Sequence, residues 1–462
     1  MPHRLTLAQM IECIGRRQLS PVELVDAHLA QIDKHNPQVN AFVMQFATQA
    51  RGAARQAERE GPSGRLHGIP LTIKDSFDMA GLPTLCGSQF RLHHRAPRDS
   101  AAVRRLQSAG AIILGKTNCP EFLANYESDN YITGRTNNPW NLDYTPGGSS
   151  GGESAAIAAF CSAGGIGSDG GGSIRVPAHF TGIAGLKPTP GRVSAAGHFP
   201  EISHPGGLLG VAGPMARTAR DVKILFEVLA GYDIRDPFSA PVPLREPDLT
   251  ALRVGVMESL LNAPVQEPLK AAVVKAAGLL ADMGIPADEF VPRNIGRAPA
   301  LWWFFFAQLP APFTRQLLDG QESKAHWTGT ELLRMVDQDQ EISGKTVVEN
   351  LGARDKMRIS LLSQMEEFPV LLLPPCGVSA FRHRERGWPA RGGEIGLLEA
   401  MTQVTVFNLF GMPGLVIPMM LGDNGLPIGV QLVGRPYSEE LLLDLAIRME
   451  EARGPLPGPP GY

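Results

Sequence analysis

Serines set among glycines are the residues of this chain best suited to covalent chemistry, because a hydroxyl attacks a carbonyl carbon once a base has taken its proton. Gly147-Gly148-Ser149-Ser150-Gly151 matches the G-x-S-x-G nucleophile elbow, which would make Ser149 the nucleophile of an α/β-hydrolase esterase, with a later Asp and His completing a triad. An elbow follows a strand directly. Residues 138–146 instead hold two prolines and two asparagines and read as loop. Of the eleven histidines, His383 and His204 are the ones such a triad could recruit. Gly110-Ala111-Ile112-Ile113-Leu114-Gly115-Lys116-Thr117 matches a phosphate loop letter for letter, yet such a loop curls its amides around a phosphate and then opens a helix. Here the middle is a strand-like apolar run and Pro120 follows soon after. A third set is Lys74 after Leu71-Thr72-Ile73, Ser149, and Ser173 in Asp169-Gly170-Gly171-Gly172-Ser173-Ile174-Arg175. Taken one at a time, these are accounted for by a solvated lysine, a turn serine and a helix cap.

The elements that must position these residues alternate between strands and helices. Thr6 opens an apolar-periodic run, and Ser20-Pro21-Val22-Glu23 places an N-cap hydroxyl, a proline at the first helical position and a capping-box glutamate in order. Short extended segments are expected at 40–43 and 68–74, with an Ala- and Arg-rich helix around 46–60 between them. A helix over 100–109 leads into the buried strand 111–114. Residues 147–173 contain ten glycines and six serines, a linker-like composition, but the apolar helix Ser154-Ala155-Ala156-Ile157-Ala158-Ala159-Phe160-Cys161 lies within them and should hold both flanking loops rigid. The Pro-rich stretch 237–248 reads as a crossover between two halves, and Leu252-Arg253-Val254-Gly255-Val256-Met257 resumes a strand. Gly414-Leu415-Val416-Ile417-Pro418 and residues 427–434 read as paired strands, followed by a helix over 438–452. The pattern predicts an α/β protein with a mostly parallel or mixed sheet.

Considered together, the glycine-serine segments carry a resemblance. Gly147-Gly148-Ser149-Ser150-Gly151-Gly152-Glu153, Gly170-Gly171-Gly172-Ser173-Ile174-Arg175-Val176-Pro177 and Gly185-Leu186-Lys187-Pro188-Thr189 resemble the signature of the amidase signature family of serine hydrolases. The likeness runs from Gly68-Ile69-Pro70-Leu71-Thr72-Ile73-Lys74-Asp75 through Gly115-Lys116-Thr117-Asn118 to Asn424-Gly425-Leu426-Pro427-Ile428-Gly429-Val430-Gln431. It implies a single large α/β/α domain over residues 1–453, with a central mixed, twisted sheet, and a loose tail over 454–462. It also implies a triad of Lys74, a cis-linked Ser149 and a nucleophilic Ser173. For a lysine to take a hydroxyl proton it must be neutral, so burial has to lower its pKa. Ser149 would then relay the proton between Lys74 and Ser173 and help return it to the departing nitrogen. Gly170, Gly171 and Gly172 would let backbone N–H groups approach the oxyanion, with Asp169 and Arg175 fixing the loop or forming an ordinary ion pair. Many relatives carry a different residue at the position of Gly170. Leu123, Asn125 and Ser150 occupy positions that line the substrate in relatives.

Composition narrows the partners. A net charge of -3 offers no basic field for nucleic acid, and 43% hydrophobic residues suffice for a large core. The five cysteines, Cys13, Cys86, Cys119, Cys161 and Cys376, are odd in number and widely spaced, as expected of reduced thiols and unlike a disulfide framework or zinc site. No metal or cofactor is called for. With neither a secretory leader nor a membrane span, a cytoplasmic protein, monomeric or homodimeric, is expected. Leu301-Trp302-Trp303-Phe304-Phe305-Phe306, with Pro310 and Phe313, concentrates aromatics that serve either as core or as the wall of an apolar pocket. On the second reading Trp302 and Phe305 touch substrate and favour aryl or fatty amides, anilides, carbamates or esters. The rival is a glutamine-hydrolysing amidotransferase A-type subunit that works in a complex and needs a polar glutamine pocket. The aromatic segment and residues 207–217 look more like the free-standing amidases.

Overall fold

Among the described residues thirteen strands form, most of them where apolar runs are bounded by turn residues: β1 (Phe42–Gln45), β2 (Pro70–Lys74), β3 (Ile112–Thr117), β4 (Gly164–Asp169), β5 (Ala184–Lys187), β6 (Val211–Ala216), β7 (Val254–Val256), β8 (Ala287–Glu289), β9 (Val370–Leu373), β10 (Gly387–Ala390), β11 (Gly393–Gly396), β12 (Gly414–Leu421) and β13 (Pro427–Gly434). The structure is a computed structural model describing residues 1–203, 209–337, 341–390 and 393–462. His204, Gly207 and Leu208 lie outside the described residues.

Eleven strands make one sheet in the order β1-β3-β2-β4-β6-β5-β12-β13-β9-β7-β8, and β10 pairs with β11 as a separate antiparallel ribbon. The sheet is mixed as expected: β3, β2 and β4 run parallel, β4 through β9 are joined by antiparallel pairings, and β9, β7 and β8 are parallel again. The phosphate-loop look-alike is strand β3, buried along its length, and its Lys116 forms an ion pair with Asp75 at 2.7 Å. Helix Leu7–Gly15 and helix Pro21–Val39 both begin with complete capping boxes, on Thr6 and Ser20. No helix among the described residues is long and apolar enough to cross a membrane.

Two hydrophobic clusters flank the part of the sheet that matters for chemistry. The larger packs Ile73, Ile166, Phe180, Leu186, Leu415 and Val430, and the second packs Trp302, Phe305, Leu371, Phe407 and Phe410. The glycine-serine segment is rigid for the reason expected: helix Gly151–Ala158 is buried at every residue. Residues 237–248 carry no regular element and link the two halves of the sheet. The stretch 454–462, expected to be loose, packs back onto the N-terminal helices. Pro459 is buried, and the Tyr462 ring stacks on His35 with centroids 4.3 Å apart.

Candidate active site

Lys74 is the last residue of β2, whose neighbours in the sheet are β3 and β4, so its side chain is wholly removed from water. Its Nζ lies 2.7 Å from Ser149 Oγ, 2.9 Å from Ser150 Oγ and 3.1 Å from Ser168 Oγ. Among the described residues no carboxylate forms an ion pair with it. Burial pulls its pKa down to about 8. Cys119 and Cys86 would draw it back up only as thiolates, and the Cys86 hydrogen bond together with burial pushes the Cys119 thiol well up. A neutral amine here can accept the Ser149 proton across the same 2.7 Å contact.

Ser149 follows Gly148 through a cis peptide bond. Ser150 opens the adjoining helix, and its N–H donates to the Ser173 carbonyl at 3.1 Å, tying the two serine loops together. Ser149 and Ser173 both line one cavity of about 710 Å³. The Ser173 hydroxyl makes no hydrogen bond within the described residues, so its Oγ faces that cavity uncommitted. The contact between the two hydroxyls is not closed; such contacts commonly tighten only in the complex with substrate.

The loop carrying Ser173 is organised by Asp169 and Arg175, both fully enclosed. Arg175 Nε and Nη2 each donate to the Asp169 carboxylate at 3.0 Å, and Arg175 Nη1 donates to Gln431 Oε1 at 2.7 Å and to the Val404 carbonyl at 3.1 Å. Burial would raise the Asp169 pKa, but the adjacent guanidinium wins and holds it well below the usual carboxylate range. Asp169 therefore stays charged and also accepts the N–H groups of Gly172 at 2.7 Å and Ile174 at 3.1 Å. This alters the expected role of Gly172. Its N–H is spent inside the loop, at φ 109°, a left-handed conformation that glycine adopts without penalty. The amides of Gly170, Gly171 and Ser173 have no acceptor among the described residues.

The other expected residues divide. Leu123 and Phe305 line the cavity, with Phe306, Pro310, Phe313 and Leu317. Ser150 does not; its hydroxyl is taken by Lys74 because the helix start turns it inward. Asn125 does not either, since its Nδ2 donates to Glu331 at 2.7 Å and its Oδ1 accepts the Glu127 N–H. Trp302 lies beneath the glycine loop rather than on the wall, with its indole N–H donated to the Gly170 carbonyl at 3.0 Å. The elbow reading of Ser149 fails on the same geometry, because loop precedes it and His383 lies 3.5 Å from Glu127, away from the cavity. Sequence reasoning missed Ser168 as the third hydroxyl on the lysine, although its place one residue before Asp169 at the end of β4 was a usable signal. It also missed Tyr126 and Asn408, which lie far from any glycine-serine motif.

A buried lysine facing serines at the edge of a cavity, on a mixed α/β sheet, defines an enzyme of the amide-cleaving hydrolase class. The family model described as Amidase matches residues 23–443, and the chain belongs to that family, the amidase signature enzymes. It is 35% identical to an A-type glutamyl-tRNA(Gln) amidotransferase subunit from Roseiflexus castenholzii, over 96% of this chain and 94% of that protein. It is 33% identical to an indoleacetamide hydrolase of Bradyrhizobium diazoefficiens, over 95% of this chain and 84% of that one. A bacterial aryl acylamidase structure superposes with a TM-score of 0.86 at 27% identity, covering 97% of this chain and 96% of that one.

Proposed function

We propose that this protein is a free-standing amidase that hydrolyses amides, anilides or carbamates bearing an aryl or alkyl group, through an acyl-enzyme on Ser173. In this reading neutral Lys74 takes the Ser149 proton while Ser149 takes that of Ser173, and Ser173 Oγ bonds to the carbonyl carbon. The C–N bond then breaks and the proton returns through Ser149 to the leaving nitrogen. Water, deprotonated by the same relay, attacks the acyl-enzyme and releases the acid. Gly170, Gly171 and Ser173 N–H groups carry the oxyanion. Esters present the same carbonyl and follow the same path.

The observation behind this reading is the cavity wall. Phe122, Leu123, Phe305, Phe306, Phe313 and Leu317 give the cavity that holds Ser173 a largely apolar wall, and no lysine or arginine is among the described lining residues. An α-carboxylate would have no cation to meet it there, which disfavours glutamine. The indoleacetamide hydrolase and aryl acylamidase likenesses point the same way. A second reading, an amidotransferase A-type subunit, draws on the relative from Roseiflexus castenholzii. Mass spectrometry of the purified chain, incubated separately with an aryl anilide, a fatty amide, an aryl carbamate and glutamine, separates them. Turnover of the first three without any partner supports the proposal. Glutamine hydrolysis alone, or no turnover until a partner complex is supplied, overturns it.

A further inference from the structure

Consecutive glycines lose more backbone freedom on folding than any other residues, so a loop of three requires external support to keep its amides aimed. In a trans peptide, the C=O of one residue and the N–H of the next point in opposite directions from one rigid plane. A donor gripping the carbonyl therefore aims the N–H on the other side. The peptides across residues 169–173 are all trans, and each carbonyl is held. Asn408 Nδ2 donates to the Asp169 carbonyl at 3.1 Å, which sets the Gly170 N–H. The Trp302 indole donates to the Gly170 carbonyl at 3.0 Å, which sets the Gly171 N–H. The Val176 N–H donates to the Gly172 carbonyl at 2.7 Å, which sets the Ser173 N–H. The remaining plane is held at both ends, by Tyr126 Oη on the Gly171 carbonyl at 2.8 Å and by the Gly172 N–H on Asp169.

We infer that Trp302 and Asn408 are positioning residues of the oxyanion site, gripping from behind the peptides whose N–H groups have no acceptor among the described residues. Trp302 also fixes the depth of the loop, since a Cβ added to Gly171 would lie 2.5 Å from its Cζ2. Its ring stacks on Phe306 at 4.6 Å, and Phe306 lines the cavity. The inference rests on the reading of Ser173 as nucleophile.

The test is Trp302→Phe in the full chain, which removes the indole donor together with the Cζ2 contact to Gly171, run beside Asn408→Ser, which leaves the Trp302 ring in place and removes the donor to the Asp169 carbonyl. On an anilide that the wild type turns over, kcat falls about ten-fold while KM stays within about two-fold, because the lost interaction serves the transition state. Affinity for a trifluoromethyl ketone, whose adduct carries the oxyanion, falls by the same factor as kcat/KM. Tyr126→Phe, which leaves the Gly172 N–H anchored on Asp169, loses several-fold less. Asn408→Ser carries the same expectation should Trp302→Phe fail to fold. A kcat within about two-fold of wild type, or a rise in KM with kcat kept, overturns the inference. Ser173→Ala is run in parallel: if it retains turnover the nucleophile assignment falls, and if it is inactive while Trp302→Phe is normal, only the positioning role falls.

Discussion

At the scale of single residues, the chemistry reduces to where one ammonium proton goes. Lys74 has three hydroxyl neighbours and, among the described residues, no carboxylate ion-paired with it, and burial brings its pKa to about 8 from 10.5. Since only the neutral amine accepts a proton, kcat/KM should climb with pH below about 8 and level off above it, and a pH–rate profile checks this. The sign for stability is related. The unfolded lysine keeps its proton up to its ordinary pKa and the folded one does not, so this residue makes stability rise with pH between about 8 and 10.5. Lys74→Ala should cost roughly a hundred-fold or more in kcat and abolish the pH step. Ser173→Ala should remove turnover by about four orders of magnitude and eliminate fluorophosphonate labelling, read by mass spectrometry of the intact chain. Label on any other serine would refute the assignment. Lys74, Ser149 and Ser173 were legible as candidates because a glycine-serine motif of that complexity is specific, and the fold puts Lys74 against Ser149 with Ser149 and Ser173 on one cavity. Asn408 was not, because an asparagine in a helix announces nothing until the fold brings it to the loop.

Elements explain which of the remaining expectations survived. Strand and helix existence followed from periodicity and caps, as at Thr6 and Ser20, where a hydroxyl and a glutamine or glutamate satisfy the first-turn amides in both directions. Side-chain direction was the illegible part. Ser150, Asn125 and Trp302 sit within a few residues of the cavity, yet a helix start, a turn and a helix face send each away from it, and a one-residue rotation reverses such an assignment. β4 shows how closely elements constrain one another. A methyl group on Gly165 would approach Glu153 Oε1 to 2.0 Å and the Thr72 carbonyl to 2.3 Å. Gly165→Ala should therefore destabilise the fold by about 3 kcal/mol, measured by denaturant unfolding. Phe180, enclosed on helix Arg175–Thr181 and meeting Phe381 edge to face at 5.4 Å, should cost about 3–5 kcal/mol when cut to alanine.

For the molecule as a whole, the α/β class is legible from alternating elements and the mixed sheet from the family resemblance, whereas the strand order is not, because crossovers such as residues 237–248 carry no pattern that names their destination. The contacts of the C-terminal stretch were illegible for a related reason: those made far along the chain, such as Tyr462 on His35, leave no local trace. The adjacency of β2 and β4, with Thr72 opposite Gly165 and Ile73 opposite Ile166, has its own outcome. The strand that ends in the amine and the strand that ends in the glycine loop share one hydrogen-bonded ladder, so they cannot part without breaking the centre of the sheet. Thermal inactivation should accordingly coincide with calorimetric melting, with no warmer-but-dead folded state preceding it; a protein that goes silent well before it melts would mean the two halves of the machinery drift apart independently.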